Sequence, residues 1–146
     1  MKKLITLILS KTFCHNIFAQ KYTNKYIEEA NKIGLEWWYE VNTGDYEKAY
    51  NRLSDNLKDQ FSFKNWSNQI TMLMNEIGEI QGRNVKETYF ESEIEGLEDG
   101  FYVTIEYDVK YSKTMEHTET ILLKQNDKFI WQVTNFNYSF RFKEEK

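Results

Sequence analysis

A helical repeat of apolar residues runs through the first part of the chain. Between residues 24 and 41, apolar side chains recur every three or four positions, at Tyr26, Ala30, Ile33, Trp37 and Val41. This spacing places them on one side of an α-helix that packs against a core. Glycine takes a left-handed conformation at little cost, so we expect the helix to stop at Gly44.

Two further helices are expected after this one. Asp45 is positioned to cap a helix whose apolar side chains are Tyr46, Ala49, Tyr50 and Leu53. Residues 54–61 are mostly polar and predict a short helical turn. Ser62 is positioned to cap a third helix, ending at Gly78, whose apolar side chains are Trp66, Ile70, Leu73 and Ile77.

Beyond residue 80 the apolar period changes from about 3.6 residues to two, as in β-strands. Strands are predicted over residues 84–94, 101–111, 117–125 and 129–140. The clearest is 101–111, because its odd-numbered residues are apolar and its even-numbered residues are mostly polar. Such alternation is typical of an antiparallel sheet that has one face covered and one face in water.

The last strand changes its apolar phase part of the way along. Its apolar residues are first odd-numbered and then even-numbered: Phe129, Trp131 and Val133, then Phe136, Tyr138 and Phe140. A β-bulge produces such a change, and bulges bend sheets. A three-residue loop at 126–128 would place Leu123 opposite Trp131 and Ile121 opposite Val133. The predicted fold is α+β, with amino-terminal helices on one face of a curved antiparallel sheet.

Composition and charge narrow the class of protein. The chain has 146 residues, 40% of them hydrophobic and 29% charged, which is typical of one globular domain. The net charge is −4, and without residues 1–19 the chain has 16 basic and 23 acidic residues, a net charge of −7. This balance repels a phosphate backbone, and no basic cluster offsets it, so we expect no nucleic-acid partner.

The first 19 residues have the pattern of a signal peptide. Lys2 and Lys3 precede a short apolar run at residues 4–9, and Ala19 supplies a small residue before a cleavage site. The run is too short to form a stable membrane span. Cleavage would remove Cys14, the one cysteine, and leave residues 20–146 as a single domain that is exported to the periplasm or secreted.

Several residues along the later part of the chain have the order and spacing of a known family. They are Trp37, Gly44, Asp45, Tyr46, Trp66, Gly78, Arg83, Asp99, Gly100, Tyr102, Glu119, Thr120, Trp131 and Val133. On these residues, positions 37–138 resemble an exported bacterial family called domain of unknown function 4019. The resemblance implies the cystatin-like cone of the nuclear-transport-factor-two-like superfold and an exported location. It implies no activity.

His117 and Glu119 are the first candidates for chemistry. On a strand they point to the same side, so they could act as an acid and base pair or supply two metal ligands. A metal site needs a third ligand, and no cysteine or second histidine remains after cleavage, so we predict no metal and no cofactor. The alternative is that His117 is a partly exposed strand residue.

Glu119 is expected to point into the domain, because the odd-numbered residues of its strand are the inward ones. A carboxylate among apolar side chains needs a cation or has a raised pKa. Arg83, at the start of the sheet, is the candidate partner. An ion pair between them would either hold the first strand to the third or form part of a binding or catalytic site.

The aromatic residues allow two interpretations as well. They pack as core, or some of them line a pocket with the ion pair; the pocket set would be Trp37, Trp38, Tyr50, Arg83, Tyr107, Glu119 and Trp131. Trp37 and Trp38 lie about 100° apart on the helix, so one wide buried face can hold both. Tyr46 and Tyr50 are expected to close the mouth of the cone over the sheet.

Three functions remain open at this point. The first is a non-enzymatic module that binds a small apolar ligand or an envelope protein. The second is an isomerase or hydratase that uses Glu119, with His117 as a weaker candidate, as its general base. The third is an envelope protein whose sheet serves as an assembly surface. The sequence leaves the oligomeric state undetermined.

Overall fold

Helices form the first half of the chain and strands the second. The computed structural model describes the backbone of residues 2–144 and the side chains of residues 20–144. Its elements are α1 (Lys2–Thr43), α2 (Tyr46–Asn51), α3 (Asp55–Gln60), α4 (Phe63–Ile77), β1 (Ile80–Glu91), β2 (Tyr102–Tyr111), β3 (Thr114–Gln125) and β4 (Trp131–Phe142). The strands form one antiparallel sheet in the order β1-β2-β3-β4. The predicted α+β class is confirmed, with α3 as a fourth, short helix.

The predicted signal peptide, residues 1–19, lies outside the residues whose side chains are described, and it stays a prediction. Within the described part of the chain, no helix combines the length and the apolar character needed to cross a membrane.

The helix ends follow the local chemistry of the sequence, with one exception. Gly44 and Gly78 have φ angles of +79° and +84° and end α1 and α4, as predicted. The hydroxyl of Ser62 accepts a hydrogen bond from the backbone N–H of Asn65 at the start of α4. Asp45 precedes α2 but makes no such bond, because its carboxylate pairs with Lys48 instead.

The core lies between the helices and the inner face of the sheet. Its fully buried members come from every layer and include Ala30, Trp37, Trp38 and Val41 of α1, Ala49 of α2, Leu53 after α2, Ile77 of α4, Val103, Ile105, Tyr107 and Tyr111 of β2, Ile121 and Leu123 of β3, and Val133 of β4. The odd-numbered residues of β2 face inward, as predicted. Phe101 is the exception, since it lies before β2, is partly exposed and stacks against Tyr26.

The turn between β3 and β4 differs from the prediction. The loop comprises residues 126–130, and the side chain of Asn126 accepts hydrogen bonds from the N–H groups of Lys128 and Ile130. Leu123 therefore lies opposite Val133, and Gln125 opposite Trp131, so the predicted pairing was wrong by two residues. A shift of two residues keeps every side chain on its face, which is why Glu119 still points inward.

Irregularities interrupt the pairing of the sheet at four places. The pairing of β3 with β4 skips Thr134, which confirms the predicted change of phase before Phe136. A second irregularity lies at Glu116, whose φ of +50° is unusual for a residue with a side chain. The pairing of β1 with β2 shifts twice, near Gly82 and near Lys86. Bulges of this kind bend a sheet around the elements that pack on it.

Candidate functional site

A buried ion pair joins two strands that are not neighbours. Arg83 lies on β1 and Glu119 on β3, with β2 between them. Arg83 Nε donates to Glu119 Oε2 at 2.9 Å, and Nη2 lies 2.7 Å from the same oxygen. The Glu119 side chain is 1% exposed and the Arg83 side chain 9% exposed. The predicted ion pair is therefore present, and it is almost completely removed from water.

Two further residues complete the hydrogen bonds of this pair. The hydroxyl of Tyr111, on β2, donates to Glu119 Oε1 at 3.0 Å and accepts from Arg83 Nη2 at 3.1 Å. Asn42, on α1, accepts from Arg83 Nη1 at 3.1 Å and donates to the Tyr111 hydroxyl at 2.8 Å. Both carboxylate oxygens are thus occupied, and four elements meet at one network, which we call the Arg83–Glu119 network.

Aromatic rings enclose the guanidinium. Its carbon Cζ lies 4.8 Å from the ring centre of Trp38 and 5.8 Å from that of Tyr107. A cation over an aromatic face is attracted by the ring electrons, and more so when water is excluded. Gly34 leaves room for Tyr107, because a Cβ atom there would lie only 2.9 Å from the Tyr107 hydroxyl. A side chain at position 34 would push Tyr107 out of place.

His117 is buried next to the network, so the prediction of a partly exposed histidine was wrong. Its Nδ1 lies 3.0 Å from the Thr114 hydroxyl, and its ring stacks against Phe140. Its Nε2 lies 3.6 Å from Glu119 Oε1, which is too long for a hydrogen bond. Burial, together with the nearby positive charge of Arg83, lowers the pKa of His117 to about 4. The ring is therefore neutral at pH 7.

Burial also dominates the titration of the acidic groups. It raises the pKa of the Glu119 carboxyl, although the charge and hydrogen bonds of Arg83 act in the opposite direction. It likewise raises the pKa of the Tyr107 and Tyr111 hydroxyls well above their usual value. A carboxyl with a raised pKa is the property expected of a general base. Glu119 could act as a base only if a substrate can reach its carboxyl.

Three polar atoms beside the network have no hydrogen-bond partner among the described residues. They are Nε1 of Trp38, the hydroxyl of Tyr107 and Nε2 of His117. Buried polar atoms are usually paired, because leaving one unpaired costs about 1–3 kcal/mol. Unpaired polar atoms of this kind would suit a small polar guest.

The structure brings together four of the seven predicted pocket residues: Trp38, Arg83, Tyr107 and Glu119. Trp37 packs against Trp38, but its indole N–H donates to the carbonyl of Ala49, away from the ion pair.

Two predicted pocket residues lie elsewhere, and Tyr50 does not close a mouth over the sheet as expected. Its hydroxyl donates to the carbonyl of Phe61, and its ring packs on Trp66 of α4. Trp131 lies against Tyr26 near the start of β4, with its indole N–H 3.4 Å from Glu29. Tyr50 and Trp131 therefore pack away from the Arg83–Glu119 network.

Sequence reasoning missed Tyr111 and Asn42. Tyr111 is the last odd-numbered residue of the alternating strand 101–111, so its inward direction could be read from the pattern. Asn42 lies one helical turn beyond Trp38 on α1, which was also readable. The sequence carried no sign that their polar ends meet at Arg83, because the two residues are 69 positions apart.

Two grooves large enough for a ligand are not lined by the ion pair itself. One, of about 420 Å³, is lined by Ser54, Tyr102, Lys124, Gln132 and others, including the first residues of α3. Another, of about 680 Å³, is lined by Asn42 of the network, Gly78 and others. Neither is lined by Arg83 or Glu119. The part of the chain that is described also holds no group of three side chains suited to a metal ion.

The network can be tested by removing one charge or both. We expect Arg83→Met to lower the free energy of unfolding by about 3–5 kcal/mol, because it leaves a buried carboxylate unpaired. The double variant Arg83→Met, Glu119→Met should recover about half of this loss or more, since no lone charge remains. Urea denaturation at pH 7 measures both values.

Lys86 supplies the control on the same strand. Its exposed pair with Glu106 spans 3.9 Å, so Lys86→Met should change stability by about 0.5 kcal/mol or less. A double variant as unstable as Arg83→Met alone would contradict the assignment of the loss to an unpaired charge.

His117 should make stability depend on pH. The unfolded histidine takes up a proton near pH 6.5, whereas the folded one does so only near pH 4. Between these values the unfolded state binds more protons, so stability is full above pH 6.5 and falls as the pH is lowered. A difference of this size corresponds to a loss of about 3 kcal/mol by pH 4.

The comparison is with His117→Phe, which keeps an aromatic ring against Phe140. Urea denaturation from pH 7.5 to 4.5 should show the wild type losing stability relative to this variant as the pH falls. Stabilities that stay parallel over this range would show that His117 is not held neutral.

Comparison with known proteins places the chain in a family. A family model described as a protein of unknown function (DUF4019) matches residues 33–136. This range contains Arg83, Tyr111 and Glu119, and it agrees with the predicted resemblance over residues 37–138. No curated protein and no solved structure matches the chain. Because the match extends over most of its length, the chain belongs to the DUF4019 family of proteins of unknown function.

Proposed function

We propose that this protein is an exported, non-enzymatic module that binds other proteins through the outside of its sheet. The proposal rests on the state of the interior. In the cone-type fold that the sequence suggests, the space between helices and sheet is the natural place for a ligand or a reaction. In this chain, core side chains and the Arg83–Glu119 network occupy that space.

The single observation that carries the proposal is that both carboxylate oxygens of Glu119 already accept hydrogen bonds. One carboxylate oxygen accepts from Arg83 and the other from Tyr111, and the side chain is 1% exposed. A base must come within hydrogen-bond reach of the proton that it removes. Glu119 offers no free oxygen and lines neither of the two large grooves, so its role is to hold β1, β2, β3 and α1 together.

An isomerase or hydratase is the second function, and one observation favours it. His117, whose Nε2 is unpaired, lies beside a carboxyl with a raised pKa, and Trp38 and Tyr107, which also carry unpaired atoms, lie against its partner Arg83, as in a site that binds a small polar substrate. Such a site would have to open first. An activity that the purified protein shows and that Glu119→Gln abolishes, with the fold intact, would favour this function over ours.

Export belongs to the proposal and rests on residues 1–19. Their basic start, short apolar run and small residue before position 20 are the features that a signal peptidase recognises. We expect the mature protein recovered from cells to begin at Gln20, as measured by its intact mass. A mature protein that still carries Met1 would contradict export by this route.

If the interior is filled, it should not take up an apolar ligand. We expect decanoate, added to isotopically labelled protein, to leave the NMR signals of the Ile105 and Ile121 methyl groups unchanged. Both side chains are fully buried on the inner face of the sheet. Ile130 is exposed in the β3–β4 loop and serves as the control for weak surface contact.

The contrary result is equally clear. If the Ile105 and Ile121 signals both shift and saturate at the same decanoate concentration, the interior admits an apolar ligand. The protein would then be a ligand-binding module, and the interaction proposal would fail.

A further inference from the structure

One edge of the sheet has no partner over most of its length. β4 is the last strand in the sheet order, and its outer side meets only the segment around Leu53, which bonds to Val133. From Asn135 to Phe142, no other strand of the described chain pairs with this side. An unpaired row of N–H and C=O groups is a template on which another strand can form.

The two edges of the sheet differ in their protection. β1, the opposite edge, carries Arg83, Lys86, Glu87 and Glu91 and has two shifts in its pairing. Charges and bulges of this kind prevent edge-to-edge association. β4 carries a single charged residue, Arg141, and that side chain already pairs with Glu116. Only the β4 edge is left suitable for pairing.

Aromatic side chains line this edge. After the bulge at Thr134, the even-numbered residues Phe136, Tyr138, Phe140 and Phe142 lie along one face. Tyr138 stacks on Phe140 at 6.0 Å, and Phe140 meets Phe142 at 5.2 Å. Tyr138 is 40% exposed and Phe142 is 57% exposed. These four side chains, which we call the aromatic row, continue the core outward, and the outer part of the row is exposed to solvent.

We propose that a second copy of this chain covers the row, by antiparallel pairing of the two β4 edges with Ser139 opposite Ser139. The inference rests on the proposed function, because it names the partner of the interaction surface. The two sheets would join into one sheet of eight strands with two-fold symmetry.

Main-chain directions agree with this register. The N–H of Tyr138 donates to the side chain of Asn137, whereas the N–H of Lys143 donates inward to the carbonyl of Lys113. The even-numbered main-chain groups therefore point away from the sheet. With Ser139 opposite itself, even-numbered residues face even-numbered residues, as hydrogen-bonded pairs require.

Side chains are complementary in the same register. Phe136 lies opposite Phe142, and Tyr138 lies opposite Phe140, so each aromatic ring of one copy meets an aromatic ring of the other. On the opposite face, Arg141 meets Asn137, and no like charges are placed together. This self-complementarity is the reason for choosing a second copy over a foreign strand, since a symmetric interface must match its own sequence.

The size of the exposed row indicates a reversible dimer. The uncovered parts of Tyr138 and Phe142 amount to about 100 Å² each, so two copies would cover roughly 400 Å² of aromatic surface in addition to the main chain. Even with the main chain added, this is small beside the roughly 1,200–2,000 Å² that a stable interface buries. We expect monomer and dimer to exchange at concentrations on the order of 10–100 µM.

The first experiment measures the oligomeric state of the full chain by sedimentation velocity over a dilution series. The wild type should shift from monomer to dimer with concentration. Tyr138→Lys should weaken the dimer about tenfold or more, because it places an uncompensated charge against Phe140 of the other copy. Tyr89→Lys is the matched control, since Tyr89 is 45% exposed on β1, and it should leave the dimer unchanged.

The second experiment tests the register through cysteine cross-linking in a Cys14→Ser background. Ser139→Cys places two thiols in a facing pair with Cα atoms about 4.5 Å apart, within the range of a disulfide. Asn137→Cys places them about 13 Å apart, which is too far. Mild oxidation should cross-link the first variant to a dimer and leave the second largely monomeric.

Two results would overturn the inference. A wild type that stays monomeric to several hundred micromolar, with no Ser139→Cys cross-link, shows that the edge does not join two copies. If such a monomer binds a synthetic extended peptide along β4, a foreign strand is the partner instead.

The decanoate experiment separates failure of the dimer from failure of the proposed function. If the protein is a monomer and decanoate does not shift its Ile105 and Ile121 signals, the interaction module remains supported but the dimer does not. A monomer in which both signals shift and saturate removes the dimer and the interaction module together.

Discussion

The ion pair between Arg83 and Glu119 is the constraint around which the described part of the chain is arranged. A carboxylate that is 1% exposed would be too costly to keep without a cation, and the cation comes from a strand two positions away in the sheet. Tyr111 on the intervening strand and Asn42 on the first helix supply the remaining hydrogen bonds. The curvature of the sheet and the position of α1 must satisfy this one set of distances.

The hydrogen bonds within the network limit which groups of the interior are free to bind a ligand. Both oxygens of the Glu119 carboxylate accept hydrogen bonds, and buried core side chains pack in the same interior. Polar groups that bind one another in a low dielectric are not free to bind a substrate. The proposed interaction surface therefore lies among the grooves and edges on the outside of the domain.

The two edge strands of the sheet differ in how well they are protected from pairing with another strand. Charges interrupt β1 along its length, whereas β4 runs from Trp131 to Phe140 without one. The same aromatic residues that extend the core beneath His117 emerge at the β4 edge as uncovered surface. A core that continues to the rim of a sheet without a charged border is the form that an interface between chains takes.

Local pattern alone determined much of this protein. The helical period around Trp37, the stop at Gly44, the alternation along β2 and the change of phase near Thr134 follow from backbone geometry and turn chemistry, so they were predicted. Only the tertiary structure decided the β3–β4 register, the burial of His117, the separation of Tyr50 and Trp131 from the ion pair, and the part played by Asn42 and Tyr111. The reason is physical: period and propensity act over a few residues, whereas these features depend on distances between side chains that lie tens of positions apart in the chain.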